Sequence, residues 1–249
     1  PIFGAHYFWI TTMKKFLQIC IFVMCSPAVM ASEVCHPDVD MSRPQYGIGY
    51  GSLMEDASRT RTAPNTGEAL PALVQGFERS FISKGNPIGF STTFLGVTVV
   101  AEATITAAVY RIFKAEDVVA TDARERSYCR VSVAAAQIQL LDGSQITANG
   151  QYWIYVNKPD RRAPASAQLP LVQSYIDIFM TGCQQLSQRA KQFEGDFMVE
   201  CLKTTKGWSE HWVNDRLYPR RPFIYQPNAG LIDRLLDRYI PEFKSVRIE

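Results

Sequence analysis

The apolar and polar positions divide the chain into a strand-rich first part and a helical remainder. Gln45 to Tyr50 reads as a first strand running into a glycine-dense loop, Gly49-Tyr50-Gly51-Ser52-Leu53. Leu73 to Phe81 alternates with period two, the mark of a half-buried strand. Lys84-Gly85-Asn86-Pro87 predicts a turn. Phe90 to Val100 and Ala103 to Phe113 are rich in β-branched residues and separated by a short connection, which predicts a hairpin. Lys114 to Arg126 changes to a helical pattern. Tyr128 to Leu141 returns to a long strand closed by the turn dipeptide Asp142-Gly143, and Gln151 to Val156 is a further strand. The class this predicts is α+β, with a small, mostly antiparallel β-barrel and flanking helices.

From Leu169 the period becomes helical. Val172, Tyr175, Ile176, Phe179 and Met180 share one face, and Gly182 sits late in that helix. Gln188 to Thr204 continues with Phe193, Phe197 and Cys201 four residues apart, a stripe that reads as core packing rather than a cofactor box. Trp208 to Leu217 and Ala229 to Tyr239 read as two short helices joined by Pro219-Arg220-Arg221-Pro222. The organisation expected is an upstream and signal segment over residues 1–31, a domain over 32–205, and a helical C-terminal extension over 206–249 packed on that domain.

Composition narrows the class. A chain of 249 residues has ample capacity for a core, and its net charge is +2. Lys14 and Lys15 account for that charge, so the remainder is near neutral and lacks the electrostatic footprint of a nucleic-acid or membrane binder. Met13-Lys14-Lys15, the apolar run Phe16 to Met24, and small residues at Val29 and Ala31 form a signal-peptide pattern. The expectation is a start at Met13, cleavage after Ala31 and export, in the setting of a bacterial periplasm. Cys25 is a poor lipidation site, because Val23-Met24 lacks the small residue expected before it. No later stretch is long and apolar enough to span a bilayer.

Cleavage would leave Cys35, Cys129, Cys183 and Cys201, which allow three pairings; Cys183 with Cys201, on adjacent helical segments, is the one favoured. No Cys-x-x-Cys or paired-His spacing suggests zinc. With only His36 and His211 beyond the signal, a Cys–His nucleophilic pair is poorly supported.

Two stretches carry candidate chemistry. Glycines at alternate positions in Gly47-Ile48-Gly49-Tyr50-Gly51-Ser52 let successive N–H groups point into one concavity, which suits an anion or oxyanion. A tight turn or barrel corner is the bland alternative. A dinucleotide fingerprint is excluded, since Met54 to Thr62 is polar and turn-rich where a helix would be needed. The Gly-x-Ser-x-Gly elbow of serine hydrolases is absent around Ser52. The second stretch is Asp122-Ala123-Arg124-Glu125-Arg126-Ser127-Tyr128-Cys129-Arg130-Val131, at a helix-to-strand junction; alone it would read as a solvated face.

Together, Gly-Tyr-Gly-Ser-Leu and Asp-x-Arg-Glu-x-x-Tyr-x-x-Val resemble the γ-glutamylcyclotransferase family. Tyr50-Gly51-Ser52-Leu53 is similar to its substrate loop, Val74-Gln75-Gly76-Phe77 to its second strand, and Ala108-Val109-Tyr110 to the strand before its catalytic helix. Trp153 to Val156, and Ser174 to Asp177 with Gly182, resemble its later strand and final helix. Ser-Leu and Asp-x-Arg-Glu lean toward the ChaC-type, glutathione-cleaving branch. The segment Trp208 to Leu236 is outside the family pattern.

The resemblance implies cyclisation of a γ-glutamyl group to 5-oxoproline with release of an amino acid, peptide or amine. It implies a small-molecule γ-glutamyl substrate, no metal and no cofactor, because the nucleophile is the substrate's own amine. Glu125 would be the proton shuttle, and Tyr50, Gly51, Ser52, Leu53 and Tyr128 would contact the substrate. Arg59 and Arg124 could pair with substrate carboxylates or serve as structural ion pairs. A related γ-glutamylamine cyclotransferase is the second enzyme reading. An exported, non-catalytic binding protein, with its Trp/Arg/Pro-rich tail as interface, is the reading from another class.

Overall fold

The structure, a computed structural model, describes residue 1 and residues 35–85, 92–221 and 228–248. The expected signal segment from Met13 to Ala31 lies outside the described residues, as do Asn86, Pro87 and Pro222 of the expected turns.

The first strand, β1 (Gln45–Gly49), is central because it is flanked on both sides. The short helix α1 (Asp56–Thr60) follows, capped by the Glu55 carboxylate, which accepts from the amides of Ala57 and Ser58. Two long strands, β2 (Leu70–Lys84) and β3 (Thr93–Ile112), then pair antiparallel. Helix α2 (Ala115–Arg124) leads into β4 (Tyr128–Val133), which is followed by β5 (Ile138–Leu140) and β6 (Gln151–Asn157). The remaining elements are β7 (Leu171–Val172), α3 (Gln173–Ser187), α4 (Phe197–Lys203), β8 (Thr205–Lys206), β9 (Trp212–Asn214), α5 (Ala229–Tyr239) and β10 (Arg247–Ile248).

The main sheet has seven strands in the order β4-β6-β1-β3-β2-β5, with β8 added parallel to β2. It is mixed, because β1 pairs antiparallel with β3 and parallel with β6. The α+β expectation therefore stands, but the expected barrel is corrected: among the described residues β4 and β5 remain the two edges and no pairing closes them. The cause is local. The run Tyr128 to Leu141, expected as one strand, breaks at a 3-10 turn over Ala135–Gln137, so its halves go to opposite edges.

The expected hairpin between Val100 and Ala103 is also corrected. Both halves of β3 continue along β2, with Val99 opposite Phe77 and Thr104 opposite Gln75. The residues between bulge outward, leaving Val99 and Val100 exposed.

Helix α3 lies in the middle of the molecule and is buried along most of its length, including Tyr175, Ile176, Phe179 and Met180. Gly182 allows this position: a β-carbon there would lie 2.7 Å from the Glu55 amide nitrogen, so only glycine lets α3 reach the start of α1. The Cys183–Cys201 disulfide joins α3 to α4 as expected, and a second bridge joins Cys35 to Cys129.

The C-terminal segment is less helical than its pattern suggested. Trp208 to Leu217 contains β9, which pairs parallel with β7, rather than a helix. Trp212 is buried and stacks on Trp208 at 5.6 Å, with Phe243 at 5.3 Å, so its indole is held by tertiary contacts instead of a helical face. Arg216 ties this segment down, donating to both oxygens of buried Asp177 and of Asp233 at 2.7–2.8 Å. Ser174 at the start of α3 donates through its amide and hydroxyl to Asp215. No helix among the described residues is long and apolar enough to cross a membrane.

Candidate active site

Strand β1 delivers the glycine loop into the interior. Three bonds hold it. The Tyr50 hydroxyl donates to the Tyr155 carbonyl at 2.5 Å, Arg79 donates to the Tyr50 carbonyl at 3.1 Å, and the Met54 amide donates to the Gly51 carbonyl at 3.0 Å. A β-carbon on Gly51 would sit 2.9 Å from the Tyr175 hydroxyl oxygen, so a larger residue there would have to displace that phenol from the cavity wall. The amides of Gly51, Ser52 and Leu53 donate no hydrogen bond to another described residue, and all three residues line one cavity. Three consecutive amides on cavity-lining residues therefore have no acceptor among the described residues.

Arg79 underlies the loop from below. It is fully buried and spreads its donors over Tyr50, Thr106, Cys201, Thr204 and Thr205, with the Phe179 ring at 4.7 Å. Its positive charge is thereby dispersed over oxygen dipoles rather than placed on a carboxylate.

The opposite wall comes from the end of α2. Glu125 is the C-cap residue, and its backbone amide donates to the Thr121 carbonyl at 2.8 Å. Its carbonyl accepts from the Tyr128 amide at 2.8 Å, which turns the chain into β4. The Glu125 side chain is 15% exposed, with Arg124 Nε 3.2 Å from its Oε1. Burial pushes the Glu125 carboxyl above its usual range, and the positive charges of Arg124 and Arg221 only partly offset that.

Arg124 connects the two walls. Besides Glu125, it donates to the Ser52 hydroxyl at 3.0 Å, the Ser58 carbonyl at 2.6 Å and the Thr62 hydroxyl at 3.0 Å. Arg59 has a different position. It is 2% exposed, paired with Asp56 at 2.8 Å and stacked on Tyr110, and it does not line the cavity.

Glu125, Tyr50, Gly51, Ser52, Leu53 and Tyr128, the six residues expected to form a site, all line a cavity of about 510 Å³. Tyr128 is held by a bond from its hydroxyl to the Leu95 carbonyl at 2.9 Å. Two further residues were not anticipated. Tyr175 accepts from the Leu95 amide at 3.3 Å, and burial pushes its phenol up to about 12, so it stays protonated and able to donate. Arg221 reaches the same cavity from the C-terminal segment and lies 4.4 Å above the Phe94 ring. Tyr175 was hidden because its spacing is that of a core stripe; Arg221 sits in a Pro/Arg run with no periodic signal. Among the described residues no cluster of His, Cys, Asp and Glu could hold a metal ion.

The arrangement offers one buried base of raised proton affinity, a row of amide donors, and phenols that remain neutral. It can bind a small polar molecule, transfer a proton and stabilise an oxyanion.

The sequence matches no protein-family model and no curated protein. Among solved structures it is similar to a gamma-glutamyl cyclotransferase, at 15% identity over 57% of this chain and 80% of that one, with a TM-score of 0.44. It is similar to a yeast gamma-glutamyl cyclotransferase specific to glutathione at 13% identity, over 65% and 95% of the two chains, with a TM-score of 0.40. A Bacillus subtilis protein, YkqA, is 16% identical over 57% and 48%, with a TM-score of 0.40.

Proposed function

We propose that the chain is a carbon–nitrogen lyase that cyclises a γ-glutamyl group, releasing 5-oxoproline and a free amino acid, peptide or amine. One observation carries this reading: a largely buried carboxylate, Glu125, shares a cavity with the residues of the glycine loop, Gly51, Ser52 and Leu53, whose amides have no acceptor among the described residues. That set suits a reaction whose nucleophile arrives with the substrate.

The substrate's α-amine attacks its own γ-carbonyl carbon. A C–N bond forms, closing the five-membered lactam, and the original γ C–N bond breaks. Folding the extended glutamyl chain to that geometry is work for a shaped cavity. Glu125 takes the proton that the amine must lose and gives it to the departing nitrogen, so the carboxylate is regenerated and no water is consumed. The amides of Gly51, Ser52 and Leu53 supply donors for the γ-oxygen as it gains charge, or for the substrate α-carboxylate. Ser52 accepts from Arg124 and serves as a binding group rather than a nucleophile. The signal-like segment ending at Ala31 and the two disulfides support an exported, periplasmic setting.

The test is a panel of γ-glutamyl compounds assayed for 5-oxoproline. Glu125→Gln should lower turnover by at least about a hundredfold, the usual contribution of a positioned acid–base group, while leaving the fold intact. Release of oxoproline by that variant at the wild-type rate would remove Glu125 from the mechanism.

A further inference from the structure

One wall of the cavity is held by a residue that does not itself line it. Asp215 is 2% exposed and belongs to the C-terminal segment outside the family pattern. Its Oδ1 accepts from the Ser174 amide at 2.8 Å. Its Oδ2 accepts from the Ser174 hydroxyl at 2.7 Å and from the Arg220 amide at 2.8 Å. Ser174 and Arg220 directly precede Tyr175 and Arg221, and both of those line the cavity.

The first turn of α3 needs that carboxylate. Val172, at the N-cap position, offers no side-chain acceptor, so the amide of Ser174 is satisfied from a position 41 residues along the chain. A negative charge at this end also suits the helix dipole. Tyr175 follows in the same turn, and its hydroxyl accepts from the Leu95 amide at 3.3 Å beside Gly51 of the loop. Phe94 meets Tyr175 edge-on at 5.0 Å and carries the Arg221 guanidinium 4.4 Å from its centroid. Asp215 thus ties down both ends of a wall made of Arg221, Phe94 and Tyr175.

That wall bears on the base. Arg124, Arg221 and the phenols of Tyr50, Tyr110, Tyr128 and Tyr175 are the charged and titratable groups that face Glu125. Burial keeps the phenols neutral, so the two arginines supply the charge that favours an ionised carboxylate. Arg124 is fixed by its own contacts, whereas Arg221 depends on how the C-terminal segment is docked.

We propose that Asp215 is a positioning residue for the reaction: one carboxylate, bonded to the amides of Ser174 and Arg220, sets Tyr175 and Arg221 in place on the cavity wall. This rests on the cyclisation proposed above and adds to it a part for the segment outside the family pattern. Asp215 touches no substrate and acts through the two residues that follow its partners.

The experiment compares wild type, Asp215→Ala, Asp215→Asn, Arg221→Gln and the double variant Asp215→Asn/Arg221→Gln. Alanine removes all three bonds. Asparagine keeps an oxygen for the Ser174 amide but turns an NH2 toward the Arg220 amide, so α3 stays capped while Arg221 is released. The Nε–Hε resonance of Arg221, assigned by its absence from Arg221→Gln, should lie upfield over the Phe94 ring in wild type and lose that shift in Asp215→Asn. An unchanged resonance overturns the proposal. With the γ-glutamyl compound that releases 5-oxoproline fastest, kcat/KM should fall about tenfold in Asp215→Asn, the scale of one hydrogen bond to a charged group. The acid limb of its pH profile should move up, as in Arg221→Gln. Loss of a negative charge alone would move that limb down, so a downward shift also overturns the proposal. Asp215→Asn should cost little more once Arg221 is glutamine; losses that add in full show that Asp215 does not act through Arg221. Absence of 5-oxoproline from every compound overturns the reaction itself, while the Arg221 resonance still decides whether Asp215 places that side chain.

Discussion

At the scale of the residue, Glu125 is where burial and charge pull against each other. Burial raises its pKa above 4.5, and Arg124 and Arg221 oppose the rise without cancelling it. The folded protein thus holds this proton more tightly than the unfolded chain. Its stabilising contribution is complete below the unfolded value and is lost as pH rises through the folded one. At neutral pH the ionised carboxylate is a cost to the fold. Glu125→Gln should therefore melt no lower than wild type at pH 7, with the difference narrowing as pH falls toward 4.5; thermal unfolding at both pH values checks this. The same shift moves the acid limb of the kcat/KM profile above the ordinary glutamate range, because the base must be ionised to accept the amine proton. The glycine loop was legible in the sequence from its own glycine spacing, whereas Glu125 was legible only through the resemblance that its stretch and the loop together bear to a family's motifs. Tyr175 was not, since a phenol in an apolar stripe has the same spacing whether its hydroxyl meets a core or a cavity.

At the scale of the element, the short C-terminal strand and the Arg216 cluster show where periodicity failed. Trp208 to Leu217 has the composition of an amphipathic helix, yet Trp212 packs against Phe243, and an extended backbone at β9 allows pairing with β7. Partners remote in sequence decided the matter, and no window of neighbouring residues contains them. The bulge in β3 is a similar case: whether a short connection reverses the chain depends on which strand each half meets. Arg216 has a larger consequence. Asp177 is fully buried, and Arg216 is its paired cation. Arg216→Ala would leave that carboxylate without its charge partner, and a loss of about 3–5 kcal/mol is expected. Denaturant unfolding measures it; a change under 1 kcal/mol would mean that water replaces the guanidinium at no real cost.

At the scale of the molecule, the cavity is assembled from pieces far apart in the chain: the loop after β1, the end of α2, the face of α3 and Arg221 near the C-terminus. The α+β class followed from local alternation. The open sheet did not, because closure depends on whether β4 and β5 meet, which is a property of the whole sheet.

The open sheet gives the Cys35–Cys129 bridge a meaning of its own. Cys129 lies on β4, an unpaired edge, and the bridge holds the preceding segment against it, where the His36 amide donates to the Arg130 carbonyl at 3.0 Å. That bond occupies a backbone acceptor which would otherwise be open to a strand from another chain. The covalent link therefore acts as a guard against self-association. Cys35→Ser should leave the protein folded but raise its tendency to aggregate on concentration, read by light scattering against wild type.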